Sequence, residues 1–593
     1  MKALSKAFTL LLAAITVCSM LSFSSFAATE DLEDFDVWDG SADTSWFEEG
    51  TKEYDIDTAE KLAGIAKLTD DGNTLEGYTF YVTKNMDLNN LEWLPIGPTQ
   101  PLTFSGTLLG KLNGQEGASV TVKNMKINRT KESKHAAPNV GFIGTQSAGV
   151  FKYFNFVNAN VYSEFATTGI AVGYIRSKAT ACENIVVVDS SVSTAPGVTE
   201  WAGGVVAYVK PNEGIHCTFR NLAFINGSVD CQGAKHTGGV IGCLQRVSGE
   251  FENLYASGVI YSDGQGVGGL VGSLLSEKGA VERSFKNCQF DGVVYSDFQA
   301  ETGAMVGYVE EAAKLTFENC VNTGVSRASC LESIERSFSW IGSLFSTGEI
   351  EFTATNCYDN SHASYLIGEN FSDDKDCSNY KPTALTFEQM SGAVNAMINM
   401  TGLDFVDTWE PREGMTPVLA IAKDYGASKY AAADLSWFDA DVTKEYAIEN
   451  DNQLLGLAML SYACSPTEYT FKVADSLKDK MTEELFSEYF LDKFNGEEEV
   501  TTAAPETSEG PHNTTVEPDN TTVEPDNTTV EPDGTTAEPD VTTKPTTPAG
   551  TTAPADDGES AEDGCAGCGG FSVAASFLAL ICAAGAAIVI KKR

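Results

Sequence analysis

The chain has 593 residues, more than one hydrophobic core ordinarily serves, so two or more regions are expected. Acidic residues outnumber basic ones 83 to 39, for a formal net charge of −44. Nucleic-acid affinity is built on Lys and Arg, so that balance excludes a nucleic-acid partner from the expected functions.

Residues 1–28 read as a secretory signal: Lys2 and Lys6, an apolar stretch over 7–20, then small residues ending at Ala27-Ala28. Cys18 is not expected to carry lipid, because Ile15-Thr16-Val17 lacks the Leu and small residues of such a site. Residues 29–120 form an N-terminal module. It contains the run Tyr54-Asp-Ile-Asp-Thr-Ala-Glu-Lys-Leu-Ala-Gly-Ile-Ala-Lys-Leu68, then Asn85-Met-Asp-Leu88 and Trp93-Leu-Pro-Ile-Gly97.

From 121 to 425 the chain repeats itself. One string is Phe-x-Asn-apolar, as in Phe219-Arg-Asn-Leu222, Phe251-Glu-Asn-Leu254, Phe285-Lys-Asn-Cys288 and Phe317-Glu-Asn-Cys320. With weaker copies, the corner position falls at 124, 153, 184, 221, 253, 287, 319 and 356. Between corners runs a second string of Gly, two or three mostly apolar residues, then Gly: Gly141-Phe-Ile-Gly144, Gly239-Val-Ile-Gly242, Gly268-Gly-Leu-Val-Gly272 and Gly303-Ala-Met-Val-Gly307. Short Val-rich and aromatic runs bounded by Gly and Asn are strands. Two strand signals per repeat, without helical segments, predict a solenoid of about eight coils in which each strand pairs with its equivalent one coil later. Asn at a fixed corner suits left-handed backbone and can bridge to the next coil.

These Gly strings resemble the GLUG repeat of bacterial surface proteins, and the resemblance runs from about residue 45 to 420. It implies that the N-terminal module is a lead-in of short capping helix and first strand. It also implies that Trp409-Glu-Pro-Arg-Glu-Gly-Met-Thr-Pro-Val-Leu419 is the exit. The fold class expected is mainly β: a right-handed parallel β-helix solenoid with small α/β capping modules, a disordered stalk and one C-terminal transmembrane helix.

The lead-in then recurs over 426–496. Ser45-Trp-Phe47, Lys52-Glu-Tyr54 and Leu62-Ala-Gly64 are matched by Ser436-Trp-Phe438, Lys444-Glu-Tyr446 and Leu454-Leu-Gly456. An acidic amphipathic helix over 481–494 comes next, and the copy reads as a terminal piece before the stalk; an open β-helix end must be covered, and the copy is either that cap or a separate module. Residues 497–564 are a Thr-, Pro- and acid-rich stalk built on the heptad Asn-Thr-Thr-Val-Glu-Pro-Asp, too polar to order itself. Residues 565–593 are the anchor: 571–590 carry no charge and Lys591-Lys592-Arg593 come after them, so a membrane partner is expected there and the body lies at the cell surface, outside the cell.

Candidate sites are few. The His residues, at 135, 216, 236, 362 and 512, form no H-E-x-x-H pair, so the zinc peptidase activity of some GLUG-bearing proteins is not carried over. No metal or cofactor is expected. A polysaccharide-active enzyme needs acid/base groups converging on a groove. The positions four past each corner are Val188, Ile225, Ser257, Asp291, Thr323 and Asn360, one isolated acid, so no catalytic residue is assigned. Cys288, Cys320 and Cys357 take the place of Met125, Phe154, Ile185, Leu222 and Leu254 in other coils, which predicts inward-facing core residues, reduced thiols in preference to the disulfide that the coil spacing would also allow. Cys565-Ala-Gly-Cys568 has a redox spacing without a redox context.

Recognition is expected, if anywhere, at tyrosines. Tyr174, Tyr208 and Tyr308 each come directly after a Gly string, with Arg176 and Lys210 close behind, while Tyr261 and Tyr295 lie eight past consecutive corners and should stack. Tyrosine rows can stack on sugar rings, and they equally suit the plain covering of a sheet flank. The function expected is a non-enzymatic, membrane-anchored surface protein that binds a glycan or host-surface ligand. The alternatives are an extracellular lyase or glycosidase, and a structural component without a ligand. The sequence carries no signal of oligomeric state.

Overall fold

Each repeat becomes one turn of a three-walled coil, and the Gly string is one of its corners. In the computed structural model, Trp201–Gly203 lies on one wall and Val206–Pro211 on the next, joined by the bend of the Gly203-Gly-Val-Val string. The bend is too tight for a side chain: a Cβ on Gly203, Gly238, Gly268 or Gly303 would lie 2.1, 2.0, 1.9 or 2.3 Å from the carbonyl oxygen three residues on. That explains the first Gly of the string. Two strand signals per coil were expected, and the Gly string, read as one strand, instead separates two.

The structure describes residues 34–498 except 49, 134–138, 166, 198–199, 214, 216, 277–280, 297–300, 311, 329–338, 346–350, 361–364, 371–381, 440–444 and 463–468. The expected signal segment, stalk, Cys565/Cys568 pair and membrane anchor lie outside these residues. Among those described, no helix is long and apolar enough to cross a membrane.

Among the described residues the walls are sheets of 21, 8 and 6 strands. Strand partners run parallel from coil to coil, as in Val150–Val157 with Ala181–Val188 and Thr218–Cys231 with Gly249–Tyr261. The protein is thus mainly β, a parallel solenoid of about seven turns with few helices. The Phe of the Phe-x-Asn string points inward, where Phe219, Phe251, Phe285 and Phe317 stack with centroids 5.9, 5.1 and 5.1 Å apart. Each such pair adds about 0.5–1.5 kcal/mol beyond its burial.

The Asn of the string turns the wall. Asn184, Asn221, Asn253, Asn287, Asn319 and Asn356 all have φ between 51° and 56°, and Tyr153 has φ 68°. Carboxamides then bond up the stack: Asn221 Nδ2 donates to Asn184 Oδ1 (2.8 Å), Asn253 to Asn221 (2.7 Å), Asn319 to Asn287 (3.3 Å) and Asn356 to Asn319 (3.0 Å). Asn124 does not belong to this row. Its wall pairs Lys123 with Val157, so it stacks on Asn158, whose Nδ2 donates to Asn124 Oδ1 (2.7 Å), in a second left-handed row that continues through Asp189 and Asn226. Both rows use mostly Asn, five positions apart, which is how Asn124 mimics a member of the first and inflates the coil number. Met125 accordingly falls outside the cysteine column, which is Phe154, Ile185, Leu222, Leu254, Cys288, Cys320 and Cys357, the last three free thiols buried in the core.

The N-terminal module extends the largest sheet: Glu53–Ile56 pairs with Thr79–Val82, which pairs with Thr107–Gly110 and so with the first full coil. Between them helix Ala59–Asp70, capped by Thr58, buries Leu62, Ile65 and Leu68. Its copy repeats the geometry in detail. Trp46 Nε1 donates to Asp43 O (2.6 Å) and Trp437 Nε1 to Asp434 O (2.5 Å), each wrapped on a helix glycine, Gly64 or Gly456. In the copy, strands Glu445–Ile448 and Thr470–Val473 make a separate two-stranded sheet.

The copy sits on the side of the solenoid. Its core, with Tyr430, Phe438, Leu457 and Phe490, is continuous with Val293 and Val325 on the outside of the wall. The segment between, residues 385–425, lies back across the same wall, where Met390, Trp409, Leu419 and Ala422 bury Val186, Ala223, Ile225 and Tyr255. This strap contains the antiparallel pair Trp409–Glu410 with Val418–Leu419, the stretch that resembles an exit. The helix expected over 481–494 starts later, at Glu488–Glu498, because Ser487 caps it (Phe490 N to Ser487 Oγ, 3.3 Å) while bonded to Ser461.

Candidate functional site

The residue after each Gly string stands on the outside of the eight-stranded wall. Down the coils this row reads Thr145, Tyr174, Tyr208, Cys243, Ser273, Tyr308 and Ser343. Tyr174 and Tyr208 are therefore neighbours, with rings 4.8 Å apart and 23° from parallel. Tyr308 is three coils away, with Cys243 and Ser273 between. On Tyr208 also stacks Trp201, at 4.1 Å and 8°. Tyr208 is buried, 5% exposed, and its hydroxyl donates to Gln245 Oε1, while Tyr174 and Trp201 remain half-buried.

Cations edge this stack in an otherwise acidic chain. Arg176 lies with its guanidinium carbon 5.7 Å from the Tyr174 ring centre, and Lys210 is its partner on the next strand. Exposed Arg246 stands close enough to act on Tyr174, Tyr208 and Lys210. Burial, then the Arg246 charge, hold Lys210 below its usual range. Burial raises the Tyr174 phenol, against the opposing pull of Arg176 and Arg246. The arrangement offers an aromatic edge beside three positive charges. Sequence reasoning missed Trp201, Gln245 and Arg246. Trp201 stands two residues before a Gly string, a position held on other coils by Thr167 and His236, and only the fold brings it onto Tyr208.

Tyr261 and Tyr295 pair in register with rings 4.7 Å apart. Tyr295 also meets Tyr462 of the side module at 5.7 Å, so protein covers one end of this row.

The acids are placed otherwise. Asp291, fully buried, accepts from Tyr255 (3.2 Å) and Thr323 (3.1 Å), and burial raises its pKa against the pull of Arg412. Asp359 accepts from Trp340 Nε1 (2.7 Å) and Asn322 (2.8 Å), also out of solvent. His236 Nδ1 lies 2.8 Å from Ser273 Oγ, both buried, and burial with the nearby Lys235 charge pushes its pKa down to about 4. The other four His lie outside the described residues. Among those described, no group of three or more His, Cys, Asp or Glu is placed to hold a metal ion.

No known family model matches the chain, and no curated protein matches it by sequence. Among solved structures it is similar to a Bacteroides ovatus protein named a "putative immunoglobulin A1 protease", with TM-score 0.38 and 16% identity over 63% of this chain and 93% of that one.

Proposed function

We propose that this chain is a non-enzymatic surface protein of the GLUG-repeat type, secreted, membrane-anchored through residues 571–590, and that its solenoid binds a glycan or host-surface ligand. The observation that supports this best is the Tyr174–Tyr208–Trp201 stack edged by Arg176, Lys210 and Arg246. A ring face with polar and charged rims is the way proteins hold sugars in an open site. Burial of Asp291 and Asp359 weighs against these two acids serving an enzyme groove, since catalytic carboxylates must reach the substrate.

The test is a glycan array probed with the full chain, with the supernatant assayed for released sugar. Binding without release is expected. Tyr174→Ala and Trp201→Ala should each weaken it about two- to tenfold, an aromatic contact contributing about 0.5–1.5 kcal/mol. Sugar release would refute the non-enzymatic reading, and binding indifferent to both substitutions would refute the site.

A further inference from the structure

The rim of the aromatic stack carries a charge pattern of its own. Three consecutive strands of the eight-stranded wall, Val172–Ser177, Val206–Pro211 and Ile241–Gln245, each have a cation at the same end. These are Arg176, its register partner Lys210, and Arg246 one residue past the third strand. Rings and cations thus form two rows across the strands, Tyr174 and Tyr208 in one, Arg176 and Lys210 two residues further along in the other. In a chain whose acids outnumber its bases 83 to 39, this edge is a local reversal of sign.

The cations act on the rings and on each other. Both charges felt by Tyr174 are Arg176 and Arg246, and the leading charge on Lys210 is Arg246. The carboxylate of Glu200 also acts on Tyr208, and Lys235 lies 3.7 Å from it. Arg246 holds φ 61°, the left-handed backbone that Asn occupies at the corners of the coils. An Arg there runs against backbone preference, which points to a use for its side chain.

We propose that the stack takes an acidic polysaccharide, with a carboxylate or sulfate on its sugars, lying across the strands. Neighbouring strands stand about 4.8 Å apart. That is close to the rise of one sugar in an extended chain, so successive acidic groups meet successive cations. The C–H faces of the sugars lie against Tyr174 and Trp201, the half-buried rings of the stack. An acidic peptide offers the charge without that flat C–H face. The net charge of −44 does not oppose binding, because charges more than about 8 Å away are largely screened at physiological salt. This inference rests on the stack being the binding site, as proposed above, and adds the charge of the ligand.

The experiment is calorimetric titration of the full chain with galacturonic acid oligomers, their carboxyl-reduced counterparts, chondroitin sulfate oligosaccharides and oligoglutamate. At least one acidic sugar should bind about tenfold or more tighter than the carboxyl-reduced chain, the combined effect of three exposed ion pairs. Which of the two binds distinguishes carboxylate from sulfate. Arg246→Gly suits the backbone, so it should leave the melting temperature unchanged or higher and weaken acidic sugar about two- to fivefold. Arg176→Gln should weaken it similarly, and both effects should shrink at about 0.5 M salt. Equal binding of acidic and reduced chains, lost in Trp201→Ala, would overturn this inference and keep the stack. Acidic binding indifferent to both cation variants, or matched by oligoglutamate, would also overturn it. Binding that needs the cations but ignores Tyr174→Ala and Trp201→Ala would refute the stack and this inference together, as would silence from every ligand.

Discussion

Asn221 sits at φ 54° with its carboxamide donating to Asn184 and receiving from Asn253, so one side chain both tolerates the left-handed backbone and links three coils. Removing it causes two losses, and they can be separated. Asn221→Gly keeps the backbone and loses about two hydrogen bonds, each contributing about 1 kcal/mol. Asn221→Ala adds about 1–2 kcal/mol of backbone strain. Urea denaturation should therefore rank wild type above Gly above Ala, and an Ala variant as stable as Gly would remove the conformational part of the account. His236 supplies a pH test. Its folded pKa of about 4 lies below the usual 6.5, so the unfolded chain takes up the proton first as pH falls. The stability it contributes is complete above pH 6.5 and lost on acidification toward 4, at most on the order of 3 kcal/mol. His236→Gln should flatten that part of the stability profile relative to wild type. The corner asparagines were legible in the sequence because their chemistry is local. The place of Asn124 was not, because only strand register distinguishes two rows that use mostly Asn five positions apart.

At the scale of elements, the duplicated module shows what sequence repetition does and does not carry. The match of Ser45-Trp-Phe47 to Ser436-Trp-Phe438 predicted a second copy, and the two Trp–Asp contacts reproduce each other to 0.1 Å (2.6 and 2.5 Å). A Cβ on Gly456 would stand 2.1 Å from Asp434 O and 3.3 Å from Trp437 Nε1. Gly456→Ala should accordingly unseat Trp437 and cost about 1–3 kcal/mol, the usual penalty of forcing atoms into a packed site. Near-ultraviolet circular dichroism and a thermal melt would show it. An unchanged melt would mean that the tryptophan bond does not hold the module together. The element next in the chain decides the surroundings of each copy: Phe80 packs on Phe104 of the first coil at 6.3 Å, whereas Phe471 packs on Phe490 of the terminal helix at 5.9 Å. Where the copy docks was not legible, because Val293, Val325 and Tyr295 read as ordinary outward strand residues. The stack at Tyr208 was half legible for a similar reason: Tyr174 and Tyr208 share a motif offset, and Trp201 joins them only through the bend between two walls.

At the scale of the described body, the chain does not run from one end to the other. After the last coil strand, Thr383–Ala384, it turns back along the outside of its largest sheet, and the terminal module then settles on the flank at Val293 and Val325. The sequence left open whether the module is an end cap or a separate piece, and its core is continuous with the flank of the wall. The module shields an apolar wall that would otherwise be an exposed patch. That return sets the path of mechanical load. Tension on the chain beyond residue 498 enters through helix Glu488–Glu498, Ser487 and Ser461, and reaches the coils from the side. The side module and strap stand first in line, held by side-chain packing and scattered hydrogen bonds. The coils behind them are laced by continuous parallel ladders. Under such a load the flank is expected to yield before the coils deform.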